Sequence, residues 1–353
     1  MTTTVHIVQR MAPGGIESIV LDFARLDPEV LVVSLEGERA RLVEAWPLLA
    51  DLGDRLITLA KPDGIRPGLW SMLADLFKRH ATRAIVTHHI GPLVYAGIAA
   101  VAAKVSRRIH VEHDGWHYAS AKRRLLARLI DRIVAPRRVA VSNVTASQVA
   151  RAIGADNQTV IPNGIDLDRF RPASRIEARV RFGLPARGWL VGNVGRLETV
   201  KGQDVLIDAL ARLDRHFHIA LAGDGCNRAA LEQQVRKLGL EDRVHFLGAI
   251  AAPEALYPAL DLFCLPSRAE GFPRTLIEAQ ACDLRVIASD VGGVREAVCP
   301  STGVLVAPGD PAALAAALRD AMESAPGASP RAFVDPTFSN ARMIDRYRAV
   351  IER

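Results

Sequence analysis

The chain alternates short β-branched runs with amphipathic helical stretches along its whole length, and no other feature restricts its fold as tightly. Strand, helix and strand in regular succession build a parallel sheet, with helices covering both faces. In the first half the runs are Val5–Val8, Val30–Leu35, Arg55–Leu59, Ala84–Thr87, Arg108–Glu112, Arg138–Ser142 and Thr159–Pro162. Between the first two, Ile16, Ile19, Val20 and Phe23 fall at i, i+3, i+4 and i+7, which makes one apolar helix face. The pattern breaks over 163–185, where turn residues, a charged stretch and Pro172 read as a linker with a short helix. It restarts at Leu190–Val194 and continues through Ile219–Ala222, Val244–Leu247, Leu262–Leu265, Val286–Ser289 and Gly303–Val306.

At 353 residues the chain is too long for one ordinary α/β core and suits two. The expected organisation is an N-terminal Rossmann-like domain, 1–168, a second Rossmann-like domain, 169–335, and a helical tail, 336–353. In the tail Met343, Tyr347, Val350 and Ile351 lie at helical spacing, and the N-terminal domain is where they are expected to pack. Open parallel sheets bind ligands outside the carboxyl ends of their strands. Two of them facing a cleft would suit a ligand with two ends.

Composition closes off several alternatives. Hydrophobic residues make up 49% and charged residues 24%, a globular mix rather than a disordered or fibrous one. Cys226, Cys264, Cys282 and Cys299 form no CxxC pair and read as reduced structural thiols. The start of the chain lacks the basic opening and apolar core of a signal peptide. The longest stretch without Asp, Glu, Lys or Arg, 84–103, is interrupted by His88, His89, Gly91 and Pro92. A cytoplasmic location is expected, with peripheral attachment to the inner face of the cytoplasmic membrane if a lipid-binding surface exists.

The net charge of +6 is unevenly placed. Residues 1–170 hold 22 Lys/Arg against 17 Asp/Glu, and the remainder 23 against 22. Over 119–138, Lys122, Arg123, Arg124, Arg128, Arg132, Arg137 and Arg138 stand beside Leu125, Leu126, Leu129, Ile130 and Ile133. Two readings remain open: a packed helix with solvated cations, or a basic amphipathic surface for anionic lipid. Nucleic acid is not an expected partner, because aromatics are only 5% and no binding motif occurs.

The candidate site residues fall just after strands. Gly14 and Gly15 precede the first helix, where backbone can approach an anion closely. Arg196 and Lys201 follow Leu190–Val194 and suit a diphosphate, one as a planar fork and the other as a point charge. Gly223-Asp224-Gly225 follows the next strand, as a plain turn or as a surface for a base or ribose. Glu270 and Glu278 could each accept two sugar hydroxyls, although Thr275-x-x-Glu278 also matches a helix capping box. His113 ends a first-half strand and could serve a hydroxyl or a proton transfer; His88-His89 end another and could contact acceptor. No zinc-ligand spacing and no acidic pair of metal-binding type is visible, so no metal or other cofactor is expected.

These residues, in order, make the chain resemble glycosyltransferase family 4. The matching elements are Pro13-Gly-Gly-Ile-Glu17, Val141-Ser142, Ile161-Pro-Asn-Gly-Ile-Asp166, Gly195-Arg196 with Lys201-Gly202, and Ala222-Gly-Asp-Gly225. Pro266-Ser267, Glu270-Gly-Phe272 with Glu278-Ala279, and Asp290-Val-Gly-Gly293 with Glu296 complete them. The resemblance implies a GT-B fold and a retaining, hexosyltransferase-type enzyme using a nucleotide-sugar, most commonly a UDP-sugar among relatives. It implies that Gly15 backbone, Arg196 and Lys201 hold the diphosphate, Glu278 the ribose, Glu270 the transferred sugar, and that His113 lies near its reactive face. A lipid-linked or polysaccharide-precursor acceptor, as in lipopolysaccharide or exopolysaccharide synthesis, is expected. A nucleotide-sugar epimerase-like enzyme and a non-catalytic nucleotide-sugar-binding subunit remain as alternatives. One departure is Cys282-Asp283-Leu284-Arg285-Val286, where relatives have Cys-Gly-x-Pro-Val. Asp tolerates the left-handed conformation that glycine takes there better than most residues do.

Overall fold

The computed structural model describes residues 3–324 and 327–352. They divide into two compact units, Met1–Gly164 with Asn340–Arg353, and Ile165–Ser339. These divisions fall a few residues from 168 and 335.

The first unit holds strands β1 (Thr4–Arg10), β2 (Val30–Glu36), β3 (Leu56–Thr58), β4 (Ala84–His88), β5 (Arg107–Glu112), β6 (Arg137–Ala140) and β7 (Gln158–Val160). They form one sheet in the order β3-β2-β1-β4-β5-β6-β7, parallel at every pairing. The second unit holds β8 (Trp189–Val194), β9 (Phe217–Ala222), β10 (Val244–Gly248), β11 (Leu262–Leu265), β12 (Val286–Ser289) and β13 (Val304–Val306). Their order is β10-β9-β8-β11-β12-β13, again parallel throughout. Every strand expected from the sequence is present. In both units the strand order reverses beside the first strand, between β1 and β4 and between β8 and β11. That is where a parallel sheet opens a crevice at its carboxyl edge.

The central strands read as unbroken apolar runs because both faces are covered. Val5, Ile7, Val33 and Ile85 pack with Leu73 and Phe77 of the helix Gly68–Arg79. Val191, Ile219, Leu262 and Ile287 pack with Leu206 and Leu210 of the helix Gln203–Leu210. Several strand ends lie one or two residues from the sequence reading, and at one of them a helix cap gives the reason. Ser142 does not extend β6: its hydroxyl accepts the Thr145 N–H at 3.0 Å and caps the helix Asn143–Ile153.

The tail helix Asn340–Glu352 belongs to the first unit. Tyr347 stands edge-on to Phe23 at 5.0 Å, the Gly164 N–H points at Met343 Sδ, and Arg346 donates to the Val160 carbonyl. Asp283 takes φ +66 after the helix Arg274–Ala281, and its carboxylate accepts the Ser329 hydroxyl. A side-chain contact thus accompanies a backbone conformation that glycine adopts at less cost.

Candidate functional site

The second sheet concentrates charge at its switch point. The chain leaving β8 passes through the turn Thr199–Lys201 and Gly202 into the helix Gln203–Leu210, while the chain leaving β11 carries Glu270. Lys201 Nζ and Glu270 Oε1 meet at 2.6 Å, so the ion pair spans the ends of the two diverging strands. The Ser267 hydroxyl donates to the same Glu270 oxygen at 2.7 Å. Glycine holds this geometry from two sides. Gly202 has φ +67, and a Cβ there would lie 2.0 Å from the Pro266 carbonyl oxygen; Gly292 has φ +51, and a Cβ would lie 1.7 Å from that of Glu270. Arg268 grips Asp204 with two bonds of 2.8 and 2.6 Å, tying the β11 loop to the helix after β8. Ser267, Gly202 and Gly292 stood inside recognisable motifs, but only the fold reveals that they position Glu270.

Glu278 is buried on the helix Arg274–Ala281. That helix is capped at Pro273, so Thr275 lies within its first turn and no capping box forms there. Glu278 Oε2 accepts the hydroxyl of the fully buried Tyr257 at 2.7 Å, and burial beside this carboxylate pushes the Tyr257 pKa well up. Nothing in the sequence pointed to Tyr257. Arg196 stays apart from the Lys201–Glu270 pair: its side chain is exposed and bonds Glu198 at 2.7 Å. Its carbonyl accepts from Gln203, whose amide also reaches Asn193.

Gly223 and Gly225 have a sufficient structural reason. Gly223 has φ +137 with a would-be Cβ 1.9 Å from the Gly195 carbonyl oxygen, and at Gly225 the Leu197 oxygen would be 2.4 Å away. Asp224 between them is exposed, 3.7 Å from Arg228. Gly15 is the opposite case: a Cβ there would meet nothing within 4 Å, and the backbone does not require glycine. Gly14 is the N-cap of the helix Gly15–Leu26, and a Cβ on it would touch only the Glu17 side chain closely.

The carboxyl edge of the first sheet carries imidazoles. His88 Nδ1 lies 2.9 Å from His113 Nε2, and His88 Nε2 lies 3.2 Å from His6 Nδ1. His89 follows with φ +71, an uncommon conformation for a residue with a Cβ, and its ring centroid is 6.0 Å from that of His113. Burial drives the pKa of His6 down to about 3 and those of His88, His110 and His113 well below the ordinary histidine value. These rings are neutral at physiological pH. Among the described residues, no group of three His, Cys, Asp or Glu side chains could hold a metal ion.

The basic stretch divides in a way the sequence did not show. Arg138 is buried, paired with Glu112 and Asp131, while Arg137 donates to the Val350 carbonyl. On the helix Ala121–Val134, Ala127, Ile130 and Val134 face inward. Leu125, Leu126, Leu129 and Ile133 face outward, Leu125 at 60% and Ile133 at 55% exposure, among Lys122, Arg128 and Arg132. No described helix is long and apolar enough to cross a membrane.

The family description "Glycosyltransferase Family 4" matches residues 13–169, and "Glycosyl transferases group 1" matches residues 174–334. The D-inositol 3-phosphate glycosyltransferase of Geodermatophilus obscurus is 39% identical over 203 residues, 52% of this chain and 45% of that protein. The chain spans about half the length of the inositol-phosphate enzymes it matches in this way. The lipopolysaccharide core biosynthesis mannosyltransferase LpsB of Rhizobium meliloti is 29% identical over 83% of this chain and 85% of its own. The crystal structure of Anabaena HepE in complex with UDP and glucose superposes with a TM-score of 0.89 at 25% identity, covering both chains fully. The two parallel-sheet, Rossmann-like units are those of GT-B glycosyltransferases.

Proposed function

We propose that this chain, which belongs to glycosyltransferase family 4, moves a hexose from a UDP-sugar to a lipid-linked or polysaccharide-precursor acceptor with retention of configuration. The observation that carries the reading is the Lys201–Glu270 pair at the β8/β11 switch point. An isolated surface pair would be worth little, but this one sits where the fold presents a ligand, and each partner has a use there. Lys201, with Arg196, neutralises the diphosphate as the sugar leaves. Glu270 accepts the hydroxyls of that sugar, and Glu278, held by Tyr257, accepts the ribose hydroxyls. The N–H groups at the Gly15 helix start suit a phosphate oxygen, and His113 suits the reacting sugar. The new bond to the anomeric carbon forms on the face where the phosphate bond breaks, and the acceptor hydroxyl proton passes to the departing phosphate oxygen. The protein then works by positioning and by stabilising developing charge, without a metal.

The UDP and glucose of the HepE complex support the donor, and LpsB supports a cell-surface glycan acceptor. The outward Leu125, Leu126, Leu129 and Ile133 among cations support docking on anionic lipid, since a solvated helix has no use for a second apolar face. Calorimetric titration with UDP-, GDP- and ADP-sugars tests the donor: UDP-sugars should bind and stabilise the fold, and no response to any of the three would refute it. Sedimentation with vesicles tests the surface: binding should require anionic lipid, and equal, negligible binding with and without it would remove that part.

A further inference from the structure

Three histidines from three neighbouring strands form a continuous chain in the first unit. His6 lies within β1, His88 ends β4, and His113 follows β5. The rings stack in sequence, His6 on His88 at 5.4 Å and 25°, and His88 on His113 at 5.2 Å and 28°. His88 spends both of its nitrogens on these neighbours. A neutral imidazole has one N–H and one bare nitrogen, so His88 must donate on one side and accept on the other. Polarity therefore runs one way through all three rings. If it runs outward, His113 Nε2 accepts and its Nδ1 carries the proton; if inward, Nε2 donates and Nδ1 is bare. No described residue takes up His113 Nδ1.

We propose that His88 and His6 are positioning residues that hold the His113 ring and fix its tautomer, so that Nδ1 shows the reacting sugar one defined character. The chain is a clamp and not a proton wire. A proton delivered to its inner end would have to rest on His6, which lies among Phe23 and the sheet interior with a pKa near 3. The other titratable neighbours do not break the chain: Asp27 acts on His6 through charge and less than burial does, His89 approaches through ring contact, and His110 Nδ1 bonds the Thr87 hydroxyl at 2.9 Å.

The inference rests on the placement of His113 beside the reacting sugar, and the experiment separates the two. In the full chain with 15N-labelled histidine at neutral pH, His113 should show a single tautomer by NMR. In His88→Leu, and in His88→Gln, whose amide keeps only the His6 side, His113 should become a tautomer mixture. His88→Asn, which keeps a polar group at the Nδ1 position, should restore part of the bias. With UDP-glucose as probe, UDP release by His88→Gln should fall roughly 10- to 100-fold in kcat with KM unchanged. An unchanged single tautomer in a folded His88→Gln chain overturns the clamp. Full turnover in His113→Ala instead overturns the placement of His113 and leaves the tautomer result standing.

Discussion

The two sheets have the same strand order around their switch points yet line those points with opposite chemistry. At β8/β11 stand Lys201 and Glu270, groups that carry formal charge; at β1/β4 stand His6 and His88, kept neutral by burial. The diphosphate of the proposed donor would gain charge as it leaves, which calls for a permanent cation such as Lys201. A hydroxyl is better met by a ring that can accept or donate without charge of its own. One fold thus supplies two electrostatic environments, set by residues after the strands in the second unit and by residues within them in the first.

The sharpest way to break this contrast is to place an unpaired charge in the first unit. Arg138→Met leaves Glu112 buried without its cation and should cost about 3–5 kcal/mol, read as a drop in the denaturant midpoint. In the second unit the corresponding loss should fall on catalysis. Lys201→Ala should lower UDP-glucose turnover by about 10²–10³-fold with the fold intact by circular dichroism, and full activity would refute its role.

The histidines set a pH dependence. Unfolded, each takes a proton below about pH 6.5, whereas folded His6 resists until about pH 3, so stability is complete above that range and lost as pH falls through it. Each such ring costs about 1.4 kcal/mol per pH unit within the window, and His88, His110 and His113 shift in the same direction. Asp131, raised to about 6 by burial, works oppositely, but it is one carboxylate against five rings, His89 included. The second unit has lowered rings only at His218 and His245 among its described residues, so hydrogen exchange at pH 7 and pH 5 should show the first unit losing more protection, and equal losses would erase the distinction. The smallest effect belongs to Asp283→Ala, about 1–2 kcal/mol, because alanine is poorer at φ +66 and loses the Ser329 contact. Thermal unfolding checks it.

The sequence by itself determined the layers, the thirteen strands of the described residues and the strand-end placement of the candidate site residues, because apolar periodicity and turn chemistry are local properties. The resemblance to the family's Cys-Gly-x-Pro-Val turn also marked Asp283 as a left-handed position, and its φ of +66 agrees. Only the tertiary structure decided which partners those residues have. Tyr257 meets Glu278 across 21 residues, Lys201 meets Glu270 across 69, and His6 meets His88 across 82. Thr275 looked like the cap for Glu278 until the helix start moved to Pro273. Arg138 looked like part of a solvated basic face until β5 brought Glu112 beside it. In each case the partner arrives through sheet order and helix packing, and a hydrogen bond or ion pair takes its meaning from whatever the fold places within about 3 Å of it.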